Sequence, residues 1–326
     1  MKQQVFEQQN QSLWERFERQ LAALEKKRKK DKAAAESLDH FADHYRQICH
    51  SLALAQERQY SPHLIDHLND LALRGHQHFY RRKGHILYSM LQFVLQGFPQ
   101  AIRREYRFVW LGMFLFFVPA LVMGSLTWLD PNLVYAVYGP DDVEEFVKMY
   151  DPANHAKFSE NRGSSDDFVM FGFYIKNNIG IGFQTFASGI LLGVGALFHL
   201  IFNGVAIGAV AGYLTELGHT ETFWPFVVGH GAFELTGIAI SGAAGLKLGY
   251  GLLCPGRLTR RQSLINAARE AMPLVYGVFF LLLIAAFVEA FWSSSTNLPD
   301  TAKYVAGASF WLLVISYLCL GVRRGS

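Results

Sequence analysis

The chain has 326 residues, 51% hydrophobic and 17% charged, with a formal net charge of +3. That length holds a soluble domain plus several membrane crossings. So small a net charge gives no reason to expect a nucleic-acid partner, and three cysteines without C-x-x-C spacing argue against a disulfide framework.

Charge is unevenly distributed. Residues 1–105 hold 17 Lys/Arg, 12 Asp/Glu and 8 of the 12 His, whereas the remainder is mostly apolar. Met1 to Asn10 is polar and lacks the apolar core of a secretory signal. Leu13, Phe17, Leu21 and Leu24 recur at helical spacing, as do Leu38, Phe41, Tyr45, Ile48 and Leu52. Between them Lys26 to Lys32 reads as a solvated helix end or turn. Ser61-Pro62 is a helix start, and Leu64, Leu68 and Leu71 form its apolar stripe. Residues 1–83 are thus expected to form a cytosolic helical bundle.

Residues 84–104 carry basic residues at both ends (Arg81, Arg82 and Lys83, then Arg103 and Arg104), so both ends favour the cytoplasm. An amphipathic helix lying in the membrane interface and ending at Gly97-Phe98-Pro99 fits this stretch. Residues 105–326 are expected to be an integral membrane domain with spans near 107–129, 178–198, 200–215, 223–252, 271–292 and 303–322. Residues 168–177 would form an interfacial lead-in. The segment 130–167, with nine acidic and three basic residues, suits the outer side. Arg257, Arg260 and Arg261, and Arg323 and Arg324, suit the inner side. The predicted class is all-α: a polytopic membrane bundle of about six transmembrane helices behind a cytosolic helical domain. It would lie in a bacterial inner membrane with both termini cytoplasmic.

Gly172 to Gly251 holds 17 of the 29 glycines. Gly204, Gly208 and Gly212 share one helix face, as do Gly189 and Gly193, and Gly245 and Gly249. Such small-residue faces let helices approach closely within one chain or across a homo-oligomer contact; Gly231 belongs to the same glycine-rich set. Ionisable residues among them are expensive and need a reason. His230 and Glu234 lie one turn apart. They read first as a structural contact between helices and second as a proton or ion site. His199 and Asn203 repeat the spacing, and Glu289 sits near the outer end of the fifth span. No third strong metal ligand is evident beside them, so no metal is expected. His40 with His44 and His63 with His67 read as helix-surface polar residues. No phosphate loop, nucleophile elbow or nucleotide fingerprint is present, so no cofactor and no catalytic residue is expected.

Several stretches in order carry a family resemblance. They are Tyr45-Arg46, Leu68-Asn69-Asp70-Leu71 to Arg74-Gly75-His76, Gly97-Phe98-Pro99, Asn203-Gly204 with Gly208, His230-Gly231-x-x-Glu234, the run ending at Gly245, and Val288-Glu289-Ala290-Phe291. Together the chain resembles the stage II sporulation protein M family, in its non-sporulating branch with a long N-terminus. The family's namesake works in endospore formers, in an inner-membrane complex with peptidoglycan-degrading partners, without being the hydrolase. Members like this one are similar to proteins encoded near MoxR-type ATPases and other membrane proteins. The resemblance implies a membrane scaffold that anchors an envelope complex, with protein partners that include a MoxR-type ATPase. A transporter or channel using His230 and Glu234 is the alternative. An intramembrane hydrolase is the third reading; the paired-glutamate motif it needs is missing, because Glu144-Glu145 falls in the outer segment.

Overall fold

A computed structural model describes residues 2–26, 41–80, 83–153, 164–295 and 298–323. Within them every regular element is helical and no strand occurs. The chain divides into two units, residues 1–91 and 92–326.

The first unit holds α1 (Gln3–Lys26), α2 (Phe41–Glu57), α3 (Pro62–Tyr80) and most of α4 (Lys83–Gln92). The apolar stripes meet in one core of Phe6, Trp14, Phe17, Leu21, Phe41, Ile48, Leu64, Leu68 and Leu71. Pro62 opens α3 as expected, but the Ser61 hydroxyl is not spent on that helix's own N–H groups. It accepts from Gln3 Nε2 at 2.8 Å, while Ser61 N–H donates to Gln3 Oε1 at 3.0 Å. This reciprocal pair fixes the start of α1 to the start of α3. Gly75 is required where α3 meets α2: a Cβ there would lie 2.7 Å from the Tyr45 ring and 2.8 Å from Phe17. Most of the Lys26–Lys32 run, and His40, lie outside the described residues.

The second unit opens with a π-helical turn (Phe93–Gly97) leading into α5 (Phe98–Arg104). The expected helix end at Gly97-Phe98-Pro99 is therefore not found. The π turn absorbs Gly97 and the helix runs on through Pro99, which has no N–H for the Val94 carbonyl; the Tyr317 hydroxyl donates to that carbonyl instead. Phe98, Pro99, Ala101 and Ile102 are buried, with Phe98 packed over Gly277.

Next come α6 (Tyr106–Leu129), a 3-10 turn (Pro131–Ala136), α7 (Pro140–Tyr150), α8 (Ser164–Ala187), a 3-10 turn (Ser188–Ile190) and α9 (Val194–Glu216). They are followed by α10 (Thr220–Leu253), α11 (Arg260–Phe287), a π turn (Val288–Ser293) and α12 (Asp300–Arg323). Among the described residues five stretches are long and apolar enough to cross a membrane: Tyr106–Leu129, Val194–Glu216, Thr220–Leu253, Arg260–Ser293 and Asp300–Cys319.

Helix contacts add a sixth crossing. Cβ atoms at Gly204, Gly208 and Gly212 of α9 would meet the carbonyls of Phe116, Ala120 and Gly124 of α6. Both sequences ascend together, so α6 and α9 are parallel, and the chain must return between them. α8 makes that return. Its Gly182 carbonyl accepts from the Ser241 hydroxyl, and its Thr185 and Phe186 carbonyls lie against Gly245, so α8 runs parallel to α10. Its 24 residues give about 36 Å of helix, enough for a hydrocarbon core of about 30 Å.

The expected division of this region at Phe198-His199 is corrected. The chain reverses at Ser188–Gly193, where Leu192 and Gly193 have φ of 55° and 83°. The left-handed pair, and the close approach of Gly189 to Gly245 and Gly193 to Gly249, place the turn there. His199 and Asn203 consequently lie inside α9, a full-length helix of 23 residues. The expected lead-in at 168–177 is part of continuous α8.

α10 is the central helix, buried along most of its length. The bundle has a basic end, where Arg103, Arg104, Arg257, Arg260 and Arg261 gather around the starts of α6 and α11. Its acidic end is where α7 covers the start of α10.

Candidate functional site

The acidic end contains a buried polar cluster. His230 and Glu234 project from α10, one helical turn apart. Glu289 comes from the π turn that ends α11. One nitrogen of His230 and one carboxylate oxygen from each glutamate lie within 4.8 Å of one another. Among the described residues these three form the one His/Cys/Asp/Glu group with donor atoms that close together. His230 is 6% exposed and Glu289 9%.

Each member is held by a neighbour. Ser293, one π turn beyond Glu289, places its hydroxyl 3.2 Å from His230 Nδ1. The other ring nitrogen, Nε2, then faces Glu234 Oε2 at 3.8 Å, too long for a hydrogen bond. Asn178 of α8 donates from Nδ2 to Glu289 Oε2 at 3.3 Å, while its Oδ1 accepts from Asn177 at 3.1 Å. The Lys303 ammonium donates to the Ser293 carbonyl at 3.0 Å and is itself buried. The π turn re-aims Glu289: one wider turn rotates the end of α11 so that the carboxylate faces α8 and α10.

α7 closes the cluster from the acidic end. Tyr150 packs edge-on against Phe223 and Phe226, and Phe226 in turn stacks edge-on against His230. Burial, followed by the nearby Glu289, Tyr174 and Glu234, holds the Tyr150 phenol above its ordinary pKa, so it stays protonated at neutral pH. The Tyr150 carbonyl accepts from the Thr222 hydroxyl and pins α7 to the first turn of α10.

Chemically, two carboxylates and an imidazole in so small a space either share protons or hold a cation. Two uncompensated buried charges would each cost on the order of several kcal/mol.

Of the expected site residues, the fold brings together His230, Glu234 and Glu289. It separates His199 and Asn203 from them. Leu200, next to His199, packs on Gly242 of α10, twelve residues beyond His230, which is about 18 Å along the helix. Asn203 Nδ2 donates to the His199 carbonyl at 2.7 Å, a bond within its own helix. Gly204, Gly208 and Gly212 face α6, and Gly189 and Gly193 face Gly245 and Gly249, so all seven serve close approach within one chain. Gly231 is buried, but an added Cβ there would meet only Val227 and Leu235 of its own helix, at ordinary distance.

Sequence reasoning missed Tyr150, Ser293 and Lys303 as members of this site. Asn178, not among the expected site residues, lies inside α8 and partners Glu289. A second network at the basic end was missed as well. Lys247 Nζ lies 2.9 Å from Glu105 and 2.8 Å from Glu270, and Arg104 adds a 3.0 Å contact to Glu105. Glu105, the residue joining α5 to α6, gave no signal beyond being acidic beside an apolar run.

A family model described as stage II sporulation protein M matches residues 113–294, more than half of the chain and all of Asn178, His230, Glu234 and Glu289. A second, described as a domain of unknown function (DUF8413), matches residues 4–81 in the first unit. An uncharacterized protein of Methanocaldococcus jannaschii is 26% identical over 127 residues, 38% of this chain and 71% of its own length. No solved structure matches the chain significantly.

Proposed function

The chain belongs to the stage II sporulation protein M family, and from that membership we propose that it is an integral inner-membrane scaffold that anchors partner proteins of an envelope complex. The observation that carries this reading is the first unit. It has a complete apolar core of its own, built around Phe17, Ile48, Leu68 and Leu71. A membrane bundle whose only task lay within the bilayer would not need it.

Charge supports a cytoplasmic placement for both termini. Arg103, Arg104, Arg257, Arg260 and Arg261 fall at one end of the bundle, the distribution that orients membrane proteins with that end inward. The acidic segment between α6 and α8 then faces outward. On this reading the first unit receives a cytosolic partner, for which a MoxR-type ATPase is the expected class.

The test is co-expression of the full chain with a MoxR-type ATPase, followed by purification in mild detergent. The scaffold reading expects a stable stoichiometric complex, lost when surface residues of α1 to α3 are exchanged for opposite charges. Recovery of the chain free of the ATPase, and of every other envelope protein, contradicts it. A transport role is the second reading, favoured by the buried His230/Glu234/Glu289 cluster. It expects flux in liposomes that Glu234→Gln abolishes while folded yield is kept.

A further inference from the structure

We propose that His230, Glu234 and Glu289 bind a divalent transition-metal ion of the zinc class, clamping α10 to the π turn of α11 beneath Tyr150. The donor set comprises one imidazole nitrogen and two carboxylate oxygens, the ligand types of three-residue zinc sites that leave a fourth position for water. Zinc donors at about 2.1 Å in tetrahedral array lie about 3.4 Å from one another. The present donors, all within 4.8 Å and with His230 Nε2 at 3.8 Å from Glu234 Oε2, sit slightly wider. Small side-chain rotations close that gap.

Two features favour an ion over a simple hydrogen-bonded contact, the first of them independent of the acidic pair. First, His230 is 6% exposed, yet its Nε2 faces the carboxylates beyond hydrogen-bond distance. Its Nδ1 is meanwhile taken up by Ser293 at 3.2 Å. A ring oriented through one nitrogen with the other facing carboxylates is the arrangement of a metal-ligating histidine. Second, charge must close. With both carboxylates ionised and the imidazole neutral, the three ligands set −2 against a divalent ion's +2, so an occupied site carries no net charge inside a hydrocarbon layer where net charge is costly. The nearby cation, Lys303, donates to the Ser293 carbonyl at 3.0 Å instead. Asn178 fills the outer-ligand role by holding Glu289 Oε2 at 3.3 Å. The sequence lacked a third ligand beside His230 and Glu234; the π turn supplies it from 55 residues downstream.

The test uses the full chain, purified in detergent without a histidine tag, loaded with zinc(II) and dialysed against a weak chelator. Metal content is read by elemental mass spectrometry, and the ligand field by the visible absorption of cobalt(II) in place of zinc. The expected result is one ion per chain. Glu234→Gln and Glu289→Gln should each weaken binding by at least about 100-fold, and Asn178→Ala by 10–100-fold, the range typical for an outer-ligand partner. Asn178→Ala keeps all three donors and serves as the decisive variant should the glutamine variants not purify as folded protein. Less than about a tenth of an ion per wild-type chain overturns the proposal and leaves a proton-sharing cluster. So does one ion per chain with unchanged affinity in every folded variant. The outcome is independent of the scaffold reading, whose test measures partner binding.

Discussion

Asn178 and Glu289, 111 positions apart in sequence, meet at 3.3 Å where α8 passes the π turn of α11. Asn178 is 1% exposed and Glu289 9%. Replacing Asn178 with Leu keeps the branched outline and removes the donor, leaving a buried carboxylate oxygen without that partner. The expected loss of stability is about 1–3 kcal/mol, read as a lower unfolding midpoint of the purified protein in detergent. An unchanged midpoint would show that the contact does not form.

The α6/α9 contact predicts a sharp contrast between glycines. A Cβ at Gly208 would run into the Ala120 carbonyl, whereas one at Gly180 of α8 meets nothing within 4 Å. Gly208→Ala should therefore cost about 1–3 kcal/mol through forced separation of two backbones. Gly180→Ala should be neutral or stabilising by up to about 1 kcal/mol. Folded yield and thermal midpoint of the two variants, measured side by side, check this.

At the basic end the two glutamates that flank Lys247 are not equivalent. Glu105 is 5% exposed and Glu270 is 48% exposed. Lys247→Ala leaves the buried Glu105 only the half-exposed Arg104 as a partner, so the expected loss is about 2–3 kcal/mol, short of the cost of a buried charge left wholly unpaired. Glu270→Gln should cost less than 1 kcal/mol, since an exposed partner contributes little. Equal losses in the two variants would contradict the burial difference.

Alkaline stability reports on the α7 cover. The Tyr150 phenol is held above its ordinary pKa of about 10, so the folded state favours the protonated form. That contribution is fully present below pH 10 and is lost as the pH rises through the folded value. Tyr150→Phe should flatten the fall in unfolding midpoint above pH 10 and leave the midpoint at pH 7 nearly unchanged. A steeper alkaline fall in the variant would contradict this burial.

Much of the architecture was legible because it rests on local signals. Apolar runs marked α6, α9, α10, α11 and α12, and helical periodicity marked Phe17, Ile48 and Leu68 as core. Four-residue glycine spacing marked faces for close packing. What was not legible depends on three-dimensional pairing. The second crossing was expected near 178–198, but its bounds were not legible: α8 runs over Ser164–Ala187, and the polar Asn177, Asn178, Gln184 and Thr185 inside it blur the hydropathy that would have marked them. The turn at Gly193 is set by φ and by contact with Gly249, neither of which is visible in hydropathy. Glu289 enters the cluster because a π turn rotates it, and nothing in Val288-Glu289-Ala290-Phe291 announces one. Glu105 was hidden for the same reason: its partner Lys247 lies in another helix.

The central structural claim is that α8 crosses the bilayer, giving six crossings and returning the chain to the basic end at residues 188–193. Single cysteines test it directly. With Cys49, Cys254 and Cys319 replaced, a cysteine at Leu191 is compared in intact cells with one at Asp141 and one at Arg257, using a membrane-impermeant maleimide. The account predicts that Asp141→Cys is labelled from outside, and that Leu191→Cys and Arg257→Cys are labelled only after the cells are opened. Labelling of Leu191→Cys together with Asp141→Cys in intact cells would contradict it.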